Sequence, residues 1–386
     1  MRQGLNTFTH PLRAILNIPI TKRVIMQYTI EEFRDIGDTM VVASCSIPEA
    51  IEKAGGEPEG FSIRARNNGP LSLKIENVLT INGKIKQMIT AVGDGSIIKL
   101  FDKTPYLVND NDVVCPHFME LKWANGCKFN CAWCYLNGTM RFRPMGKAPY
   151  LKNKKKIIDH IQEYLEAEKN PSILNSGELS DSLVFEGNGF SLTRDIIPLF
   201  KEQKKHKLLI LTKSASNKGL IKSESQKNVI VSFSVNALPV AKRWEKKAPS
   251  PTYRIKSAKK LADAGYKVRI RIDPMVPVKN WKESYIELID LIYSNLNPER
   301  ITFGTLRGLQ STINNCEDKS WIKYLKERSN WGLKAPDEIR YTMYSYLMDK
   351  VKEYDNRCQI AMCKETVGMW KEMHLDYRNI KCNCTL

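Results

Sequence analysis

The spacing of apolar and polar positions divides this chain into three parts. Over the first 115 residues the apolar positions come in short alternating runs, such as Leu71-Ser-Leu-Lys-Ile-Glu-Asn-Val-Leu and Ser96-Ile-Ile-Lys-Leu-Phe. Turn clusters separate them at Gly55-Gly-Glu-Pro, Asn67-Asn-Gly-Pro, Asn82-Gly and Gly93-Asp-Gly. Alternation of period two between such turns predicts strands and hairpins, hence a small, partly β N-terminal module over residues 1–115. From about residue 117 the pattern changes. Apolar runs at 118–123, 171–176, 207–213, 228–236, 267–274 and 300–306 predict six strands. Helical stretches at 153–167, 196–204, 253–264 and 285–296 lie between them, the third closed by Gly265. Strands alternating with helices predict an α/β unit over 116–310, a parallel sheet with right-handed crossovers. Six such strands imply a partial (β/α)6 barrel, open on one side, with its chemistry at the carboxyl ends of the strands. Residues 311–386 read as a C-terminal extension with a helix at 337–353 and a cysteine-rich end.

The chemistry concentrates at the end of the first of these six strands. There the chain reads Cys127-Lys-Phe-Asn-Cys131-Ala-Trp-Cys134, a C-x3-C-x2-C spacing. A [4Fe–4S] cluster normally takes four cysteines. Three would leave one iron open to a small molecule, which reductive cleavage of S-adenosylmethionine requires. Structural zinc is the plainer alternative, but zinc sites usually come as two separated pairs, and no C-x2-C or H-x3-H partner follows within twenty residues. The chain opens Met1-Arg-Gln-Gly-Leu-Asn without an early apolar run. Ten cysteines without a secretory signal therefore fit a reducing, cytoplasmic setting rather than a disulfide framework. No apolar run reaches the roughly 18 residues of a membrane span.

Charge adds a partner. Sixty Lys and Arg stand against 42 Asp and Glu, a net +18, with clusters at 152–156, 201–207, 243–247 and 256–260. Such an excess favours a polyanion, here DNA or a nucleotide substrate, although lysine-rich faces also simply keep proteins soluble. Aromatic residues interleave with basic ones in Met140-Arg-Phe-Arg-Pro, Arg243-Trp-Glu-Lys-Lys and Met369-Trp-Lys, as base stacking with phosphate contact would use. A base in duplex DNA would have to flip out to be reached.

The triad resembles the signature of the radical S-adenosylmethionine (radical SAM) enzymes. Over roughly 115–310 the strand ends resemble one branch of them, the spore photoproduct lyase family. The resemblance rests on residues 127–136 and 176–182, on Leu211-Thr-Lys-Ser214, Phe233-Ser-Val-Asn236 and Arg271-Ile-Asp-Pro274. It implies Cys127, Cys131 and Cys134 as cluster ligands. It implies Gly177, Glu178, Ser180, Asp181, Lys213, Ser234 and Asn236 as the set around S-adenosylmethionine, with the lysine suited to the methionine carboxylate. A reducing partner such as a flavodoxin or ferredoxin would supply the electron.

Two departures from the family pattern matter. The family carries a hydrogen-donor cysteine just before the Ser-Asp pair, where this chain has Glu178. Its tyrosines on either side of the third cluster cysteine are Trp133 and Tyr135 here. Tyr135, Glu178 and Cys363 are therefore the catalytic candidates, with Cys363 or the Cys382/Cys384 pair expected to fold over the barrel mouth as donor. Cys358, Cys363, Cys382 and Cys384 could instead bind a zinc or a second cluster. The expected reaction is hydrogen abstraction by a 5′-deoxyadenosyl radical from a thymine-type pyrimidine in DNA, rearranging a modified base. The alternatives are repair of a DNA lesion by a lyase, radical chemistry on a small metabolite or peptide, and a non-catalytic metal-binding nucleic-acid-binding protein.

Overall fold

A computed structural model of the chain describes residues 30–34, 39–43, 62–66, 71–101 and 109–386, apart from 188, 202, 224 and 225. The turn clusters at 55–58 and 67–70 lie outside the described residues. The described strands of the N-terminal part are β1 (Ile30–Arg34), β2 (Thr39–Ala43), β3 (Ser62–Arg66), β4 (Ser72–Leu79), β5 (Ile85–Val92) and β6 (Ile98–Leu100). Gly83, at φ +80°, takes the left-handed conformation that lets the 80–84 turn close the β4–β5 hairpin.

The six strands expected after residue 117 are all present, as β7 (Met119–Leu121), β8 (Ile173–Asn175), β9 (Lys207–Thr212), β10 (Val229–Val235), β11 (Lys267–Met275) and β12 (Arg300–Thr305). A seventh, β13 (Gln359–Met362), comes from the C-terminal extension and pairs parallel with β12. Its alternating Gln-Ile-Ala-Met is too short to stand out from sequence. Every neighbouring pair from β7 to β13 is parallel, and the antiparallel β6–β7 pair joins them to the N-terminal strands in one thirteen-stranded sheet. The fold is mixed α/β, and the sheet does not close on itself.

The helices follow local signals. In α1 (Lys154–Ala167) Asn153 caps the first turn by accepting from the Lys156 amide at 2.9 Å. After α2 (Leu238–Trp244), α3 (Pro251–Asp263) begins on a proline, and Gly265 follows it at φ +89°. α4 (Trp281–Tyr293) and α5 (Asp337–Tyr354) are the other long helices, and four shorter ones of four to six residues occur among the described residues. The stretch expected as a helix at 196–204 is instead a π turn at Leu192–Ile196 followed by a 3-10 turn at Ile197–Phe200. Pro198 lacks the N–H that a continuing helix would use there. No described helix is long and apolar enough to cross a membrane.

Two faces of the parallel strands differ. Ile270 and Ile272 of β11 share an apolar core with Ile255, Ala258 and Leu261 of α3 and Leu288 and Ile289 of α4. The alternate residues of β11, Arg269, Arg271 and Asp273, point the other way and are also buried. They meet residues 382–386, which lie along this polar face. Asn383 donates to Ser232 Oγ at 2.7 Å and to the Ile270 carbonyl at 3.0 Å, and accepts from Thr302 Oγ1 at 2.7 Å. Arg269 and Arg300 donate to the carbonyls of Asn383 (2.9 Å), Thr385 (2.6 and 3.1 Å) and Leu386 (2.9 Å). Cys384, next in the chain, reaches Asn175 of β8 at 3.9 Å. In a flat sheet β8 and β12 would stand about 19 Å apart, four steps of about 4.8 Å. Two consecutive residues touch both, so the sheet curves around this segment.

Asn383→Ala would strand Ser232 and Thr302 in the interior. We expect a loss of about 1–3 kcal/mol in stability, read as a lower urea midpoint at unchanged slope. An unchanged midpoint would show that this segment is not seated in the sheet.

Candidate active site

The cysteine loop leaves β7 through Gly126, at φ +84°, where a Cβ would come within 2.3 Å of the Ala148 carbonyl oxygen. Backbone bonds hang the loop from three sides: Gly126 N to Leu179 O (2.8 Å), Cys127 N to Lys147 O (2.8 Å) and Ala132 N to Trp244 O (2.9 Å). Cys127, Cys131 and Cys134 thereby line one wall of a cavity of about 760 Å³ at the carboxyl ends of the strands. Gly177, Glu178, Ser180, Asp181, Lys213, Ser234 and Tyr135 line it too.

Burial pushes the Cys127 thiol up to about 12 and raises those of Cys131 and Cys134. Thiols so placed become thiolates only when a cationic group is bound beside them. Among the described residues no three His, Cys, Asp or Glu side chains converge as a single metal ion would need. A cube of four irons asks something different, because each cysteine binds its own iron. The triad therefore fits an iron–sulfur cluster better than a mononuclear zinc.

The polar groups across from the triad are held from behind. Asp181 accepts from the Leu183 and Lys213 amides and from Thr212 Oγ1, at 2.9, 2.7 and 2.8 Å, so its carboxylate ties the ends of β8 and β9 together. The Lys213 ammonium donates to Ser234 Oγ at 2.6 Å and pairs with Glu245 at 3.1 Å. Glu245 is fully buried and also pairs with Arg254 at 2.6 Å. Arg307 grips Asp273 with two bonds of 2.8 and 3.0 Å, and, against the opposing effect of burial, holds that carboxyl below the usual range. Tyr135 donates its hydroxyl to the Glu178 carbonyl, and the Glu178 carboxylate accepts from Asn175 at 2.9 Å. The far wall is aromatic and basic: Lys364 Nζ lies 4.9 Å from the Phe101 ring centre and 4.6 Å from that of Trp331.

Four expectations need correction. Asn236 does not line the cavity; its amide spans the Pro274 carbonyl and the Tyr285 hydroxyl, both at 2.8 Å, inside the core. Cys363 does not line it either, and sits behind Arg307 at 3.8 Å. Cys382 and Cys384 do not fold over the mouth but come up along the polar face from below, Cys384 reaching the cavity-lining Arg271 at 3.0 Å. Cys358 and Cys363 stand at opposite ends of β13, so the four late cysteines cannot share a metal. Of the aromatic–basic segments, Trp244 and Trp370 are core residues, 1% and 2% exposed, while Phe142 is 80% exposed beside Arg141. Sequence reasoning missed Arg307, Glu245 and the Phe101–Trp331–Lys364 wall. Glu245 stood inside a segment whose charge suggested surface, and the wall joins residues more than 200 positions apart.

A family model described as spore photoproduct lyase matches residues 118–312. The chain belongs to the spore photoproduct lyase family. The Clostridium acetobutylicum spore photoproduct lyase is 27% identical over 246 residues, covering 61% of this chain and 70% of the relative. That of Bacillus subtilis strain 168 is 26% identical over 249 residues, covering 61% and 69%. A solved spore photoproduct lyase complexed with dinucleoside spore photoproduct superposes with a TM-score of 0.55 at 19% identity, over 63% of this chain and 75% of that one. A variant lyase with bound AdoMet and the same dinucleoside gives 0.54 at 18%, over 64% and 75%. Those structures speak for the fold of this spore photoproduct lyase family member. Phe101, Trp331, Lys364 and the late cysteines lie outside the matched residues.

Glu245→Ala would leave the buried Arg254 and the Lys213 ammonium without their shared partner. We expect it to cost about 3–5 kcal/mol in equilibrium unfolding, with Glu245→Gln costing less. Wild-type stability in Glu245→Ala would remove Glu245 from this role.

Proposed function

We propose that this protein is a radical SAM enzyme acting on a thymine-type pyrimidine in DNA. The observation that carries the reading is one cavity that brings a buried thiol and two half-buried ones, the polar strand ends and an aromatic–basic wall together. Cys127, Cys131 and Cys134 would hold three irons of a [4Fe–4S] cluster. Gly177, Glu178, Ser180, Asp181, Lys213 and Ser234 would surround S-adenosylmethionine. When bound, the pair supplies a 5′-deoxyadenosyl radical able to take a hydrogen atom from the base. The reading of β7–β12 as a partial (β/α)6 barrel goes with this function, extended by β13 at the open edge.

The chain's own residues position and enclose. Lys213, steadied by Ser234 and Glu245, offers a fixed positive charge to a carboxylate. Trp331, tilted against the buried Phe101, provides a ring for a flipped base, and Lys364 a charge for its phosphate. Phe142 and Arg141, exposed on the loop after the triad, extend this surface outward. An electron donor of the flavodoxin or ferredoxin class is part of the same reading.

Two fates of the base radical are open to this site. Family membership supports cleavage of a DNA lesion, since the relatives are named spore photoproduct lyases. Glu178 supports rearrangement of a modified base, because a carboxyl group is a poor hydrogen-atom donor.

Anaerobic reconstitution should load iron and sulfide into the wild type, and Cys131→Ala should lose most of both. With S-adenosylmethionine and thymine-deuterated DNA, label should appear in 5′-deoxyadenosine; label-free 5′-deoxyadenosine would exclude this substrate. Thymine released from DNA carrying a thymine lesion would mark a lesion lyase, and an isomeric base formed from DNA carrying a modified thymine a rearrangement.

Binding to single-stranded DNA should fall steeply with salt, and Phe142→Ala should weaken it by about 1–3 kcal/mol. Salt-insensitive or absent binding would favour a small metabolite or peptide instead.

A further inference from the structure

Behind the cavity floor lies a pair of thiols that the reaction above does not use. Cys382 and Cys384 flank Asn383, whose side chain bonds to Ser232, Ile270 and Thr302 and helps seat the segment in the sheet. Both are buried, 5% and 6% exposed, and the two thiols hydrogen-bond to each other across the turn that Thr385 N closes onto the Cys382 carbonyl at 3.2 Å. Cys384 Sγ lies 3.0 Å from the Arg271 guanidinium and 3.9 Å from the Asn175 amide. Arg271 lines the cavity, and Asn175 holds the cavity-lining Glu178. The sulfur is thus one side chain removed from whatever the cavity binds.

We propose that Cys382 and Cys384 are a redox-active dithiol whose oxidation to a disulfide frees Arg271 to bind an anionic group in the cavity. The Cys382 hydrogen bond, with help from Arg271 and against burial, pulls the Cys384 thiol down to about 6. At neutral pH the pair therefore holds one proton, and Cys384 is the thiolate that attacks a disulfide. In balance, the Cys384 thiolate attacks one sulfur of a disulfide reagent and displaces the other as a thiolate. The Cys382 sulfur then displaces the reagent and gives up its proton, leaving one S–S bond in the protein and the reagent reduced by two electrons. The protein loses the negative charge that faced Arg271. Asp273 is already committed to Arg307, and Glu178 to Asn175. The floor becomes one charge more positive, which suits a phosphate or a carboxylate.

The test uses the full chain without metal or cofactor, so it does not depend on the radical chemistry proposed above. The protein is equilibrated anaerobically with excess oxidised glutathione or with reduced dithiothreitol, alkylated, and its last peptide weighed. In the oxidised arm the wild-type peptide should be two hydrogens lighter and unalkylated at both positions. Cys382→Ser, which keeps size and polarity, should not form this bond. Thymidine monophosphate binding, followed by calorimetry, should be several-fold tighter for the oxidised protein, and Arg271→Gln should abolish that difference. Two freely alkylated thiols after oxidation would overturn the dithiol, and equal affinity in both states would overturn its link to Arg271. Failure of 5′-deoxyadenosine formation in the loaded enzyme would count against the proposed function and leave these results standing.

Discussion

Three charges in one row on β11 set the terms for the rest of the molecule. Alternation along a strand forces Arg269, Arg271 and Asp273 to the same face, and the curve of the sheet puts that face inside. A buried charge without a partner costs several kcal/mol, so each must be answered. Arg269 is answered by Glu299 at 2.6 Å and by the carbonyls of residues 383 and 385. Asp273 is answered by the two-pronged grip of Arg307, and Arg271 by the sulfur of Cys384. The final segment and the loop after β12 are placed where they are because these charges require them.

The same face changes character along its length. At its lower end Asn383 pairs with Thr302, and Arg300 donates to the carbonyls of Cys382, Thr385 and Leu386, so the final segment fills the face. At the carboxyl ends of the strands the polar groups are held from behind by Glu245, Asp181 and Asn175 but still face open volume. Helices and apolar residues of the opposite face pack against the strands that carry the cavity's groups. This division, a filled end and an open end on one polar face, lets a single parallel sheet be both core and site.

The wall facing the triad is built from other parts. Phe101 precedes the parallel strands, and Trp331 and Lys364 follow them, so the wall facing the triad comes from segments the family model does not cover. The cysteine triad and the polar strand ends lie within the residues the family model matches, whereas the aromatic–basic wall lies outside them. Glu178, at the join, accepts from Asn175 and faces both halves.

What the sequence by itself determined is local. The C-x3-C-x2-C loop, the period-two runs of β7–β12, the Asn153 cap and the Gly265 stop are all readable because their causes lie within a few residues. Most of the proposed cofactor set was legible too, since strand-end positions follow from the strands. The tertiary structure decided what depends on distance. Asn236 turned inward to Tyr285, and Trp244 sank behind the cluster loop despite its basic neighbours. Glu245 became the buried partner of two cations. The late cysteines separated, with Cys358 and Cys363 at opposite ends of β13 and Cys382 and Cys384 drawn under the cavity. Spacing along the chain could not reveal this, because those positions are set by which buried charges need a partner, and burial is a property of the folded sheet.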